Sequence, residues 1–475
     1  MNTMKKTIKK TMNPGGFSGS ISRPLLAAAF VALGLGASAH AAWLPMPSLL
    51  LPLAASWVVS SGQSLQSQIN SAAAGDNITV MSGTYNENIV ITNGLTIQGA
   101  GGIVAVTGSV TASNAALPIY LSDIAFGKSG ASGLTVNNCQ NFRADRCNFV
   151  GGADFNSRSS SVYCYKDAFS GAVNFTSNNW TFQRSSVAGN LGSTASIAKF
   201  IGSSAGAFNH NQGEITIFQS TLNGGSGNNI TLASTNNGWL CYSVIHGMNF
   251  YGGNVQVVGN RIGAATINDD FTYFASGVNA TIRNNVFAND GRFWNGRWNN
   301  GSTAITVNSD AGIVNIFNNT IYNVYAGIGI NGAPAGVVIR GNIFSSPSDP
   351  AWSVNTSASG VIIDANCFTT AVNGGTQTGN INADPKFANT SIWATNSCAL
   401  AANSPCINAG PTNDATFLNF DGTRNTMGAY GGHSYDPTGN TTTNPVVLSG
   451  TVSPTYVKQG QAVTISARAA VIAAP

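Results

Sequence analysis

Short apolar runs along this chain recur in a fixed frame around a small polar residue. In Val257-Val-Gly-Asn260-Arg-Ile262 an apolar residue stands three places before an asparagine and another two places after it. The same order returns in Ile282-Arg-Asn-Asn285-Val-Phe287, Ile316-Phe-Asn-Asn319-Thr-Ile321, Ile339-Arg-Gly-Asn342-Ile-Phe344 and Ile363-Asp-Ala-Asn366-Cys-Phe368. Successive asparagines lie 25, 34, 23 and 24 residues apart. A period of that size marks one structural unit stacked on the next, and the 34-residue interval predicts a loop inserted into one unit. Upstream, serine takes the polar place: Phe182, Ser185 and Val187; Ile217, Ser220 and Leu222; Leu240, Ser243 and Ile245, at intervals of 35 and 23. Alternating apolar residues point inward and stack between coils, and the small polar residue sits at a bend. An asparagine there tolerates left-handed backbone angles and hydrogen-bonds a nearby backbone group. That gives the row a structural reason to recur, ahead of any catalytic one.

The units begin after a short helix. Residues 61–75 read as a helix ending at glycine, with Leu65 and Ile69 on one face, and Asp76 opens extended chain. Strand-like pieces at 88–91 and 95–97 follow, punctuated by glycine and asparagine. The predicted fold class is all-β: a solenoid of short parallel strands.

The two ends differ from this pattern. Lys5, Lys6, Lys9, Lys10 and Arg23 precede an apolar run from Leu25 to Leu35 and then Ala39-His40-Ala41. That order predicts a secretory signal over residues 1–41, and hence a secreted or cell-surface protein. A second apolar stretch, Leu49 to Val59, is interrupted by Pro52 and is too short to cross a bilayer, so no stable transmembrane span is expected once the signal is removed. Residues 434–445 read as a linker, and 446–475 as the incomplete start of a C-terminal β-rich module.

Composition narrows the partners. Only 8% of residues are charged, against roughly a quarter in ordinary soluble domains, so the surface is polar without being ionic. Without residues 1–41 the 21 basic residues fall to 16 against 17 acidic ones, which leaves no concentrated basic face for a nucleic acid. Seven cysteines show no metal-site spacing. Cys398 and Cys406 bracket a short loop and are the candidate disulfide, while Cys241 and Cys367 read as buried small apolar residues.

The frame, with Gly75-Asp76 and Gly83-Thr84-Tyr85 at the opening, resembles the right-handed parallel β-helix superfamily of pectin-lyase-like architecture over residues 57–433. The closing stretch is similar to the end of many exported β-helix proteins: Asp384-Pro-Lys-Phe387, Leu400 to Gly410, Asp421-Gly-Thr-Arg424 and Gly428-Ala-Tyr430. Thr426 and Gly431 stand where that pattern carries two acidic residues, which removes them from any metal or catalytic pair.

For this class the resemblance implies a polysaccharide or surface glycan as partner. Hydrolysis needs two suitably separated carboxyl groups; Asp269 and Asp270, with Asp290 one 20-residue step beyond, are the candidates, and their alternative reading is loop turns. A lyase would add a cation such as Arg292, or Ca2+, beside the substrate carboxylate. Arg292, Trp294, Arg297 and Trp298 lie in the insertion between Asn285 and Asn319 and form the candidate sugar-binding loop, with packing of the two tryptophans as the competing reading. The function expected is therefore carbohydrate binding or processing by an exported protein, by a polysaccharide lyase or glycoside hydrolase if it is catalytic, with a surface adhesin or structural stalk as the alternative.

Overall fold

The computed structural model describes residues 54–432 apart from 128–132, 157–160, 177–178, 223–229, 234, 264–270, 289–302, 347–350, 392–393, 395, 412–413, 415–416 and 420–421, together with 446–453 and 464–470. From Ile119–Ser122 to Val372–Asn373 each coil presents three short strands, each paired in parallel with its counterpart in the next coil, whereas in the two opening coils Asn77–Tyr85 and Thr96–Val106 each run through the first two positions. In one coil these are Ser161–Tyr165, Ala168–Phe169 and Val173–Phe175; they pair with Asn179–Gln183, Ser186–Val187 and Leu191–Ser193. The ladders run from Ser56–Val59 to Ile381–Asn382. Coil follows coil from residue 56 to residue 382 in a right-handed parallel β-helix. We call the three strand positions its first, second and third faces.

Parallel pairing in register stacks like on like. Strands lie about 4.8 Å apart, so inward rings of successive coils meet at that spacing. Phe149 and Phe169 stack at 4.8 Å, Phe155 and Phe175 at 4.6 Å, and Phe175 and Trp180 at 4.7 Å. One apolar core runs from Val59 to Phe368.

The chain turns from first to second face through two residues with distinct jobs. The second is the frame's polar residue: Ser185 N donates to Ser203 Oγ, Ser203 N to Ser220 Oγ, Ser220 N to Ser243 Oγ, and Ser243 N to Asn260 Oδ1. The chain of bonds continues through Asn285, Asn319, Asn342 and Asn366 to Asn380. It also reaches back, with Asp167 N on Ser185 Oγ and Cys147 N on Asp167 Oδ1. Ser203 was not legible as a member, and it splits the apparent 35-residue unit into coils of 18 and 17. The 34-residue interval is one true coil. The left-handed angle belongs to the residue before, as in Arg184 (φ 53°), Asn284 (57°) and Asn318 (50°), and not to the ladder asparagine as the sequence suggested. Its cost is set against the ladder bonds its bend makes possible.

The opening helix α1 (Leu65–Ser71) buries Leu65 and Ile69. It is shorter than expected, capped by Ser64 and by Glu87, whose carboxylate accepts from Leu65 N at 2.6 Å; Gly75 (φ 95°) turns the chain three residues beyond its C-cap. The Asp76 carboxylate accepts from Trp57 Nε1, Ala55 N and Ala73 N, and these bonds, Trp57 first, hold its pKa below the usual value. Tyr85 donates its hydroxyl to Val59 O and Met81 O. Those contacts explain the Gly-Asp and Gly-Thr-Tyr pieces of the opening.

The closing stretch runs back along the corner between the first and second faces. Asn284 Nδ2 donates to Ala429 O and Gly431 O, Asn318 Nδ2 to Thr426 O, and Gly428 N to Gly341 O. A Cβ on Gly431 would stand 1.6 Å from Thr426 O, so this backbone has no room for the glutamate of the family pattern. Cys398 and Cys406 are not joined: both are free thiols, and they sit in different apolar clusters, Cys398 with Val286 and Ala429, Cys406 with Cys367 and Met427. The local-loop pairing is thereby corrected; the return segment directs the two side chains to separate places. The strands expected beyond the linker form an antiparallel pair, Val446–Ser453 with Thr464–Ala470.

Candidate functional site

Outward residues of one strand lie beside outward residues of the next, so the first face displays rows along the solenoid. One such row is Tyr120, Arg143 and Tyr163, set side by side by the pairing of three coils. The Arg143 guanidinium lies 5.2 Å from the Tyr120 ring centre and 5.1 Å from that of Tyr163, within cation–π range of both. Its side chain remains 52% exposed. The row borders an open groove of about 670 Å³ that is also lined by Thr96, Pro118, Asn141 and Ser161.

A second layer fixes this row. Tyr120 donates its hydroxyl to Asp145 Oδ2 at 3.2 Å, and Tyr163 to Gln183 Oε1 at 2.8 Å. Asp145 is itself held by Arg146 (2.8 Å), whose other nitrogens grip both oxygens of Asp123 at 2.6 and 2.7 Å. The Arg146 bond holds the Asp123 carboxyl below its usual pKa. Burial pushes both tyrosine hydroxyls up, so they stay neutral donors at ordinary pH. The carboxylate nearest to this row in the contacts described is Asp145, 3.6 Å from the Arg143 guanidinium and hydrogen-bonded to Tyr120.

Asp269, Asp270, Asp290, Arg292, Trp294, Arg297 and Trp298 fall outside the described residues. Their two segments, 264–270 and 289–302, are the same connection, second face to third, in consecutive coils. The residues flanking them touch: Phe271 N donates to Thr303 O at 2.9 Å. A smaller cavity of about 260 Å³ lies between Arg283, Phe317, Asn318, Arg340 and Phe417. Its Arg340 is tied to Asp364 at 3.0 Å and to Asp414 at 2.8 Å, and so fastens the return segment. Among the described residues no cluster of three or more potential metal ligands occurs.

Tyr120, Arg143 and Tyr163 escaped the sequence reading because the coils around them carry Asp167 and Cys147 in the ladder, where no recurring serine or asparagine announces the register. No family model matches the chain, and no curated protein matches it in sequence. Among solved structures, the chain is similar to the following two. Bacteriophage CBA120 tailspike protein 3 is 13% identical, with a TM-score of 0.41 over 67% of this chain and 57% of that one. Pectate lyase Pel9A is 16% identical, with a TM-score of 0.28 over 79% of this chain and 95% of that one. Neither likeness bears on the chemistry of the site.

Proposed function

We propose that this is an exported protein that binds a polysaccharide or surface glycan on its first face. The observation that carries the reading is Arg143 held between Tyr120 and Tyr163 at the edge of an open groove. The two rings and Asp145, 3.6 Å away, hold the guanidinium while about half of the side chain faces solvent, which favours its free N–H groups reaching sugar oxygens or carboxylates. Cleavage would fall to Asp269, Asp270, Asp290 and Arg292, with Ca2+ entering only if the reaction is a lyase elimination.

The uninterrupted ladder favours a second reading, an adhesin or stalk whose length is its function. Binding to a broad panel of neutral and acidic glycans, followed by product analysis, separates the readings. Saturable binding that falls at least tenfold in an Arg143→Ala, Tyr163→Ala variant supports the groove. Binding unchanged in that variant rejects it, and a parent protein that binds no member of the panel supports the stalk.

A further inference from the structure

All seven cysteines are buried free thiols, and they are not evenly dispersed. Cys139, Cys147 and Cys164 line the central core, Cys241 belongs to a small cluster with Phe218 and Tyr242, and Cys398 packs with Val286 and Ala429. Cys367 and Cys406 share a fourth cluster with Ile343, Ala365 and Met427. Cys367 lies on the second face in the strand Cys367–Phe368, where Phe368 joins the core and Cys367 points to the return segment. Cys406 arrives from that segment, its carbonyl accepting from Met427 N at 3.0 Å. The two thiols sit within hydrogen-bonding reach of each other in this cluster, and Cys367 Sγ donates to Ala383 O at 3.3 Å.

We propose that Cys367 and Cys406 are joined in a disulfide that locks the return segment onto the last coils. Each sulfur gives up one proton and one electron as the S–S bond forms. The electron pair passes to a disulfide oxidant, such as glutathione disulfide or an oxidised dithiol oxidoreductase, which is reduced to two thiols. The thiolate of one cysteine attacks the oxidant and expels a thiol, and the second cysteine then displaces the remaining half of the oxidant from the mixed disulfide. Because docking buries both sulfurs, exchange with the oxidant belongs to the stage of folding before the segment closes. The cross-link would stabilise the fold by restricting the unfolded chain between residues 367 and 406.

The full chain is folded in a glutathione redox buffer, its free thiols are alkylated under denaturing, non-reducing conditions, and its peptides are mapped by mass spectrometry. The expected result is a cross-linked peptide pair containing Cys367 and Cys406, with the other five cysteines alkylated. Dithiothreitol should lower the Tm of the parent protein by several degrees and of a Cys398→Ala variant equally, but leave a Cys367→Ala, Cys406→Ala variant unmoved. Recovery of Cys367 and Cys406 as alkylated thiols after oxidative folding would overturn the proposal; because that measurement uses the parent chain, it stands even if a variant misfolds.

Discussion

Asn318 and Asn319 are adjacent in the chain and hydrogen-bond on opposite sides of one bend. Asn319 Nδ2 donates inward to Ile282 O at 2.9 Å and Asn342 Oδ1 at 3.0 Å, while Asn318 Nδ2 donates outward to Thr426 O at 2.8 Å and Asn425 Oδ1 at 3.1 Å. Asn319→Leu should therefore destabilise the solenoid by roughly 1–3 kcal/mol, because it leaves buried ladder groups unpaired. Asn318→Gly keeps the left-handed backbone and removes only the outward bonds. Denaturant unfolding should register the first change, and faster proteolysis within residues 384–432 the second; equal effects of both on solenoid unfolding would refute the division.

Asp167 is the titratable rung of the ladder. Its Oδ1 accepts from Cys147 N at 2.7 Å, and burial pushes its pKa up to about 8. Between about pH 4 and 8 the folded protein keeps a proton that the unfolded chain has released. Stability from this group is thus complete at acid pH and lost as pH rises through that window, on the order of a few kcal/mol. Asp167→Asn should remove the loss, and urea titrations at pH 5 and pH 8 should show the variant gaining most at pH 8.

His210 works with the opposite sign. Ser193 Oγ accepts from Trp180 Nε1 at 2.9 Å and Ala195 N at 3.3 Å, which leaves its hydrogen for His210 Nδ1 at 3.0 Å. Burial lowers the imidazole pKa to about 4. Its contribution is present above about pH 6.5, the ordinary histidine value, and is lost as pH falls toward 4. In the parent protein this slope and that of Asp167 oppose each other. Stability of His210→Phe, measured from pH 7 to 4, should decline less than that of the parent; an unchanged slope would remove His210 from the account.

Two places compete as the proposed glycan site. Arg143→Lys should fail to restore affinity to the groove, since a point charge does not replace a planar fork held between rings, and its stability should change by less than roughly 1 kcal/mol. A Trp294→Ala, Trp298→Ala variant should weaken binding only if the insertion contributes, with the β-sheet circular dichroism retained. Isotherms for both variants, run with one ligand, assign the binding to groove or insertion.

Apart from Ser203, the repeat announced itself where serine or asparagine occupied the ladder, because a buried turn amide or hydroxyl must bond the next coil and few residue types can do so. From Ser185 to Asn366 those residues, and the alternation beside them, determined the solenoid; the glycines and Tyr85 determined its opening. Tertiary structure alone decided what lies side by side. Tyr120, Arg143 and Tyr163 form one row only because strand register aligns coils of unequal length. Cys406 meets Cys367, and not its near neighbour Cys398, only because the closing segment turns back along the corner of the faces. Local spacing carries the hydrogen-bonding needs of a bend, whereas contacts between distant coils depend on where every intervening bend falls.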